Sequence, residues 1–363
     1  MQQNLTITYM KATGIMLMVL AHCSNFELLY RIVYSFHMPL FFIVSGYCFK
    51  EKYLYEPITF VWKRIKGLWW PFVKWGFFFL VLHNIFFHWN IYNDKYGYHG
   101  IVQHLYSIDD FKNHATNILL MTQTECLLGG YWFLSSLFWG ALVAFGTLLC
   151  ANFVADRFNI NRQLLDYFGG GILLFLCIAT NYKPTTFTVF LIGPREFMAA
   201  TFFVIGYLLA KYHISQFNWW QSMLAFAFMV FNSFYNLIEV ADPFNDSIKV
   251  VPYMITAVLG TWCVYSLPWH RMKEKLALSL EYVGNHTLTI LTWHFLSFKI
   301  VSLIIIVVYN LPLERLAQFP VIGEYTNRGW FVLYFLVGIV FPLLLSMLKN
   351  EIKQWIESRI LTD

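Results

Sequence analysis

The chain has 363 residues, of which 58% are hydrophobic, 20% aromatic and only 12% charged, about half the charged share of an ordinary soluble domain. With a mean hydropathy of +0.55 and apolar runs near the ~20 residues that cross a bilayer, a soluble fold is excluded, and so is a transmembrane β-barrel, whose strands would alternate polar and apolar residues. The net charge of +5 is small, and the 25 Lys and Arg lie in short clusters between apolar runs, which argues against a nucleic-acid partner.

In chain order, apolar runs bounded by charged or turn residues predict ten membrane helices near 11–28, 33–49, 68–89, 131–154, 166–181, 196–211, 218–238, 250–268, 285–309 and 329–348. The opening MQQNLTITYMK has neither the basic stretch nor the cleavage site of a secretory signal, so the first run is expected to stay as a helix. Alternating the loops puts fifteen Lys and Arg on one side, Lys11, Lys63, Arg64 and Lys66 among them, and eight on the other, with Lys74 and Lys299 inside spans. Short cytoplasmic loops collect positive charge, so the even count and this bias together predict cytoplasmic termini.

The expected fold class is an all-α, polytopic membrane helix bundle. It forms a single domain over 1–363, since no repeat, low-complexity tract or flexible linker divides the chain. The longest stretch outside the spans, about residues 90–130, falls on the outer side and is rich in His, Tyr, Asn and Asp; the C-terminal NEIKQWIESRILTD reads as a short helix lying at the inner surface. Five of the six cysteines lie in or beside apolar runs, and no C-x-x-C or close Cys/His cluster occurs, so neither a disulfide framework nor a metal site is expected.

A hydrogen-bonding or ionisable side chain at membrane depth is costly, and is therefore a functional candidate. His22 is the foremost. It follows Lys11 by eleven residues, which at ~1.5 Å per residue places it near or just beyond mid-bilayer; the bland alternative is a neutral histidine donating to a neighbouring helix carbonyl. The second span opens with FHMPLFFIVSGY and carries His37. A turn centred near Leu29 would set 22 and 37 at similar depth on adjacent antiparallel helices, either sharing a site or with His37 bonded at the interface. Pro39 is tolerated near a helix start, while Ser45 and Gly46 allow close helix approach. Asn285 is expected to cap the ninth span, and His294, deeper on it, is a second candidate for the same cavity.

These residues also carry a resemblance. LAHCS around His22, FHMPLFFIVSGY at Phe36–Tyr47, a basic stretch running into Trp70 and Pro71, GGYWFLSSLF at Gly129–Phe138, FFVIGYLLAK at Phe202–Lys211 and LEYVGNHTLTILTWH at Leu280–His294 occur in order along nearly the whole chain. The set resembles the acyltransferase-3 family of membrane O-acyltransferases, and the FHMPLFF form is most similar to its fucose acetylase-like branch.

The resemblance implies transfer of an acyl group, usually acetyl from acetyl-CoA, onto a sugar hydroxyl of a surface glycan or its lipid-linked precursor. This would take place in the cell membrane (the inner membrane if the source is bacterial), with no bound cofactor. The expected partners are the lipid bilayer, acetyl-CoA and the carbohydrate acceptor. A hydroxyl attacking a thioester needs a base, and histidine has the suitable pKa near neutrality; by the resemblance His22 takes that role, with His37 as orienting partner or second proton carrier. Cys23, about 100° away on the helix, is expected to pack rather than carry the acyl group. Lys63, Arg64 and Lys66 offer a basic face to the donor's phosphates, or simply a topogenic cluster touching lipid phosphates. Of the family's R-x-x-R before the proline, Arg64 fits the first position and Gly67 falls at the second, with Lys66 beside it. On the acceptor side, Trp132 stacks on a sugar or anchors its helix, and Arg195 and Glu196 pair with each other or face the acceptor. A proton-coupled transporter or flippase of a sugar or lipid-linked intermediate is the competing class, although paired broken helices are not visible and mid-span Asp and Glu are nearly absent.

Overall fold

Two prolines set where the early helices break. Pro39 has no N–H to give the carbonyl of Ser35, and the chain divides there into α2 (Glu27–Tyr34) and α3 (His37–Tyr47). His37 Nδ1 donates at 2.8 Å to the carbonyl of Val33, which also accepts from the Phe36 N–H. The turn after α1 (Leu5–Cys23) falls at residues 24–26, so Leu29, expected at the turn's centre, lies inside α2. Pro71 likewise cannot serve the carbonyl of Gly67, and α4 (Pro57–Arg64) passes through a π-helical turn (Ile65–Trp69) into α5 (Trp70–His88). The basic cluster therefore stands on a helix rather than in the loop expected for it.

The computed structural model describes residues 4–98, 101–182, 192–235 and 250–360. After α5 come β1 (Gly97–Tyr98), paired antiparallel with β2 (Ile101–Val102), then α6 (Ile108–Leu119), α7 (Trp132–Phe158), α8 (Arg162–Tyr182), α9 (Pro194–Lys211), α10 (Trp219–Tyr235), α11 (Val250–Tyr265), α12 (Glu274–Asn285), α13 (Thr287–Val308), the one-turn α14 (Gly323–Tyr325) and α15 (Phe331–Ile360). Among the described residues every predicted span falls mainly on helix; residues 236–238 of the seventh lie outside them. Among the described residues eight of these helical runs are long and apolar enough to cross a membrane; the other two predicted spans correspond to α9, which includes Arg195, Glu196 and Lys211, and α10, with 17 described residues. The fold is an all-α polytopic membrane bundle. Two local expectations fail. Asn285 ends α12 and His286 stands at the start of α13. The C-terminal stretch is no separate helix, because nothing in it breaks α15, which runs on to Ile360.

Glycines let α3 sit at the centre. A Cβ on Gly46 would meet the carbonyl oxygen of Phe203 at 1.8 Å, and one on Gly206 that of Ile43 at 2.0 Å, so α3 and α9 touch backbone to backbone. At the end of the bundle near the N-terminus, rings of Phe49, Phe60, Phe145 and Phe203 interlock, Phe60 and Phe145 at 4.4 Å. Beside them the buried Asp166 accepts from Arg162 Nε at 2.7 Å and Lys211 Nζ at 2.9 Å, and Lys211 also reaches Glu51 at 2.7 Å. The Lys211 hydrogen bond holds the Glu51 carboxyl below its ordinary value, so this tie is fully charged at neutral pH and is lost only as pH falls through the lowered value.

The stretch between α5 and α7 covers the opposite end. His83 of α5 is fully buried, with Nδ1 3.0 Å from Glu125 Oε2, Nε2 2.9 Å from the carbonyl oxygen of His104 and the Tyr106 ring stacked on it at 3.4 Å. Asn84 donates to the carbonyl of Tyr106 and accepts from its N–H. Lys299, buried in α13, donates to the carbonyls of Leu316 and Gln318 at 2.9 and 2.7 Å and so holds the chain just before Phe319.

Candidate active site

One face of α1 sets the geometry. Ile7, Lys11, Ile15, Met18 and His22 recur every three or four residues and so share a stripe. Ile7 to Met18 line a cavity of about 360 Å³, and Met18 and His22 line a second of about 590 Å³. α3 contributes Met38, Phe41, Ser45 and Cys48 in the same rhythm, and α13 contributes Leu288, Leu291 and Phe295. Among the described residues, Met18, Met38 and Leu291 border both cavities and make up the shared wall, or neck, that separates them.

His22 lies in the wall of the larger cavity, half-buried, and its Nδ1 is buried with no hydrogen-bond partner among the described residues. His37 lines the same cavity, but Tyr34 intervenes, its ring 4.9 Å from that of His37 and 6.4 Å from that of His22. The two imidazoles therefore share a cavity without touching. His294 does not line it. It is fully buried behind His22, the two rings 5.4 Å apart and inclined at 28°. Its Nδ1 sits 3.1 and 3.0 Å from the carbonyl oxygens of Ile290 and Leu291, while Nε2 has no partner among the described residues. Cys23 faces away, buried, and donates to the carbonyl of Phe331 at 3.6 Å.

Trp132 and Arg195 line the larger cavity together, the guanidinium 5.4 Å from the indole ring, a cation–π arrangement. Glu196 is not in the wall: Oε2 accepts from the N–H of Gly193 at 2.8 Å and Oε1 from Ser136 at 3.0 Å, so the carboxylate fixes the start of α9. Among the described lining residues Arg195 is the one Lys or Arg, and there is no Asp or Glu. The wall is otherwise rich in rings, including Tyr30, Tyr34, Tyr253 and Phe319.

Of the three basic residues on the α4–α5 run, only Arg64 reaches the smaller cavity, where Nη1 donates to Ser45 at 3.0 Å and the guanidinium lies 4.8 Å over Phe60. Lys63 turns away to Tyr53 at 2.6 Å, and Lys66 lies 5.1 Å over Trp62. Helical spacing explains the split, because neighbours on a helix point ~100° apart. The second cation in this wall is Lys11, which sequence reasoning used only to orient the chain and to gauge the depth of His22. Its signal was the spacing to His22: eleven residues are three turns, which returns both side chains to one face. Gly67 lines the cavity as well, with no atom within 4 Å of where its Cβ would stand. Tyr34 and the neck residues carried no sequence signal, since apolar and aromatic residues crowd every span. Among the described residues no group of His, Cys, Asp and Glu is placed to hold a metal ion.

The chain is thus a helical membrane bundle holding two adjoining cavities, the larger lined by the His22 imidazole. The acyltransferase-3 family, described as an acyltransferase domain, matches residues 4–347. The chain belongs to this family and is a multi-pass membrane acyltransferase. No curated protein and no solved structure matches it.

Proposed function

We propose that the protein is a cell-membrane O-acetyltransferase that moves an acetyl group from acetyl-CoA to a sugar hydroxyl of a surface polysaccharide or its lipid-linked precursor. The observation that carries this reading is the α1 stripe, with a cation at one end and a cavity-lining imidazole at the other. Lys11 and His22 lie ~16 Å apart along the helix axis, a reach comparable to an extended pantetheine arm. The donor's phosphates meet Lys11 and Arg64 from the cytosol, and the acceptor occupies the larger, ring-lined cavity beside Trp132 and Arg195.

In the proposed step the sugar hydroxyl gives its proton to His22 as its oxygen bonds to the thioester carbonyl carbon. Collapse of the adduct breaks the carbon–sulfur bond, and the thiolate recovers the proton from His22 to leave as free coenzyme A. His294 acts through His22. Its Nδ1–H is committed to backbone carbonyls, leaving Nε2 as an acceptor beside the unpartnered Nδ1 of His22. A hydrogen bond from the Nδ1–H of His22 to this acceptor would fix the tautomer in which Nε2 of His22 is the free base. His37 serves as a cavity-wall donor or second proton carrier.

The test uses purified protein in lipid vesicles with labelled acetyl-CoA and base-treated, de-O-acetylated polysaccharide. Label should appear as an ester on the glycan. Movement of glycan across vesicles without esterification would instead support a transporter. Within this assay Arg64→Ala should raise the KM for acetyl-CoA and leave the acceptor KM unchanged, whereas Gly67→Arg, which enters open space in the same wall, should lower the donor KM; an unmoved donor KM in both removes this cavity from the donor site. His294→Leu should lower kcat by less than the ~10²-fold expected for loss of the base itself and shift the pH profile of kcat. His294→Gln, which can keep an acceptor near the Nε2 position, should recover part of both. Equal effects of Leu and Gln would assign His294 a packing role.

A further inference from the structure

We infer that Met18, Met38 and Leu291 form an acyl-length selector, a neck that admits an acetyl group to His22 and holds back longer chains. The inference rests on the acyl-CoA reading above and adds which residues set the donor's acyl length.

Position on α1 supports it. Met18 stands seven residues after Lys11 and four before His22, or ~10 Å from the level of the cation and ~6 Å from that of the imidazole. A donor anchored by its phosphates at Lys11 and Arg64 therefore brings its thioester end to the neck. The acyl tail leads, so it passes first, and the carbonyl carbon follows to the level of His22. There the hydroxyl oxygen bonds to it, the carbon–sulfur bond breaks, and the proton travels by way of His22 to the sulfur. Every carbon beyond the carbonyl has to clear the neck before the reaction can begin.

The neck is apolar and tight. Met18 is 2% exposed and Leu291 6%. Leu291 is also backed by Gly130, since a Cβ there would meet Leu291 Cδ1 at 2.8 Å; the side chain has little room to withdraw toward that wall. The methionines are unbranched and flexible, which suits an opening that widens for a slim group and closes behind it. No polar side chain belongs to the neck, so hydrated sugar and phosphate groups stay on their own sides while an alkyl group passes. A single methylene in an apolar constriction commonly changes selectivity by ~10–200-fold, and butyryl carries two more than acetyl.

The test compares acetyl-, propionyl- and butyryl-CoA in the vesicle assay with de-O-acetylated polysaccharide, reading both ester formation and competition for the donor site. For wild type, butyryl-CoA should compete with acetyl-CoA at similar affinity and yet turn over at least ~10-fold more slowly, because the neck lies past the phosphate anchors. Met38→Ala, on a partly exposed residue, and Met18→Ala should raise the butyryl-to-acetyl turnover ratio by ~10-fold or more. Leu291→Phe should suppress transfer of all three while binding of coenzyme A persists. Equal turnover of acetyl and butyryl by wild type, or an unchanged ratio in folded methionine variants that still transfer acetyl, overturns the selector alone. Failure of wild type to transfer from any of the three thioesters overturns the donor reading as well.

Discussion

Replacing His22 by alanine should lower kcat for acetyl transfer by at least ~10²-fold, the usual contribution of a general base, with the KM for acetyl-CoA close to its wild-type value. The fold should survive the change. His22 Nδ1 makes no hydrogen bond among the described residues, so truncation orphans no partner, and the loss falls beside an existing cavity rather than in closed packing. Thermal unfolding followed by fluorescence-detected size exclusion, run beside the turnover assay, separates the two effects. Wild-type turnover in a folded His22→Ala protein would remove the imidazole from the chemistry.

The largest structural effect is expected at Gly46. Alanine there puts a methyl group 1.8 Å from the backbone oxygen of Phe203, a clash no rotamer change relieves, so α3 and α9 have to separate. Overpacking of this kind costs ~1–3 kcal/mol or more, and here it also moves the α3 stripe that lines both cavities. Gly46→Ala should therefore lower the unfolding temperature and turnover together, and Gly206→Ala, on the facing surface, should do the same. Gly146→Ala in α7 is the control: no atom lies within 4 Å of its Cβ position, and gaining a helix-favouring residue should raise stability by up to ~1 kcal/mol. Equal melting of Gly46→Ala and wild type would deny the close contact between α3 and α9.

Much of this was legible in the sequence because a bilayer allows so few solutions. Each apolar run had to be helix, and over the described residues each proved to be so, apart from short breaks. What hydropathy could not register is how a helix is interrupted from within: the break at Ser35–Phe36 and the π turn at Ile65–Trp69 follow from Pro39 and Pro71, the first read only as tolerated near a helix start and the second only as the close of a basic stretch. Of the candidate site, His22, His37, Trp132, Arg195 and Arg64 line cavities, since a polar group at depth stands out against apolar neighbours. Lys63, Lys66, Glu196 and His294 do not, because charge and depth say nothing about the direction in which a side chain points. Lys11 was hidden by its usefulness as a topological marker, and the methionines and leucine of the neck by the sameness of apolar sequence.

The covering between α5 and α7 is fastened to the bundle through His83 with Glu125 and the carbonyl of His104, Asn84 with Tyr106, Trp69 with the carbonyl of Leu119, and Asn93 and Lys95 with Glu314. Tyr98, Gln103 and Gln123 from it complete the roof of the larger cavity. Floor and roof are thus built from separate stretches of chain under different constraints. Intramembrane positions answer to packing at every turn, while an exposed covering tolerates insertion and exchange. On the proposed reading, diversification of such a scaffold toward new acceptors can therefore proceed by redrafting the covering, leaving the wall around His22 untouched.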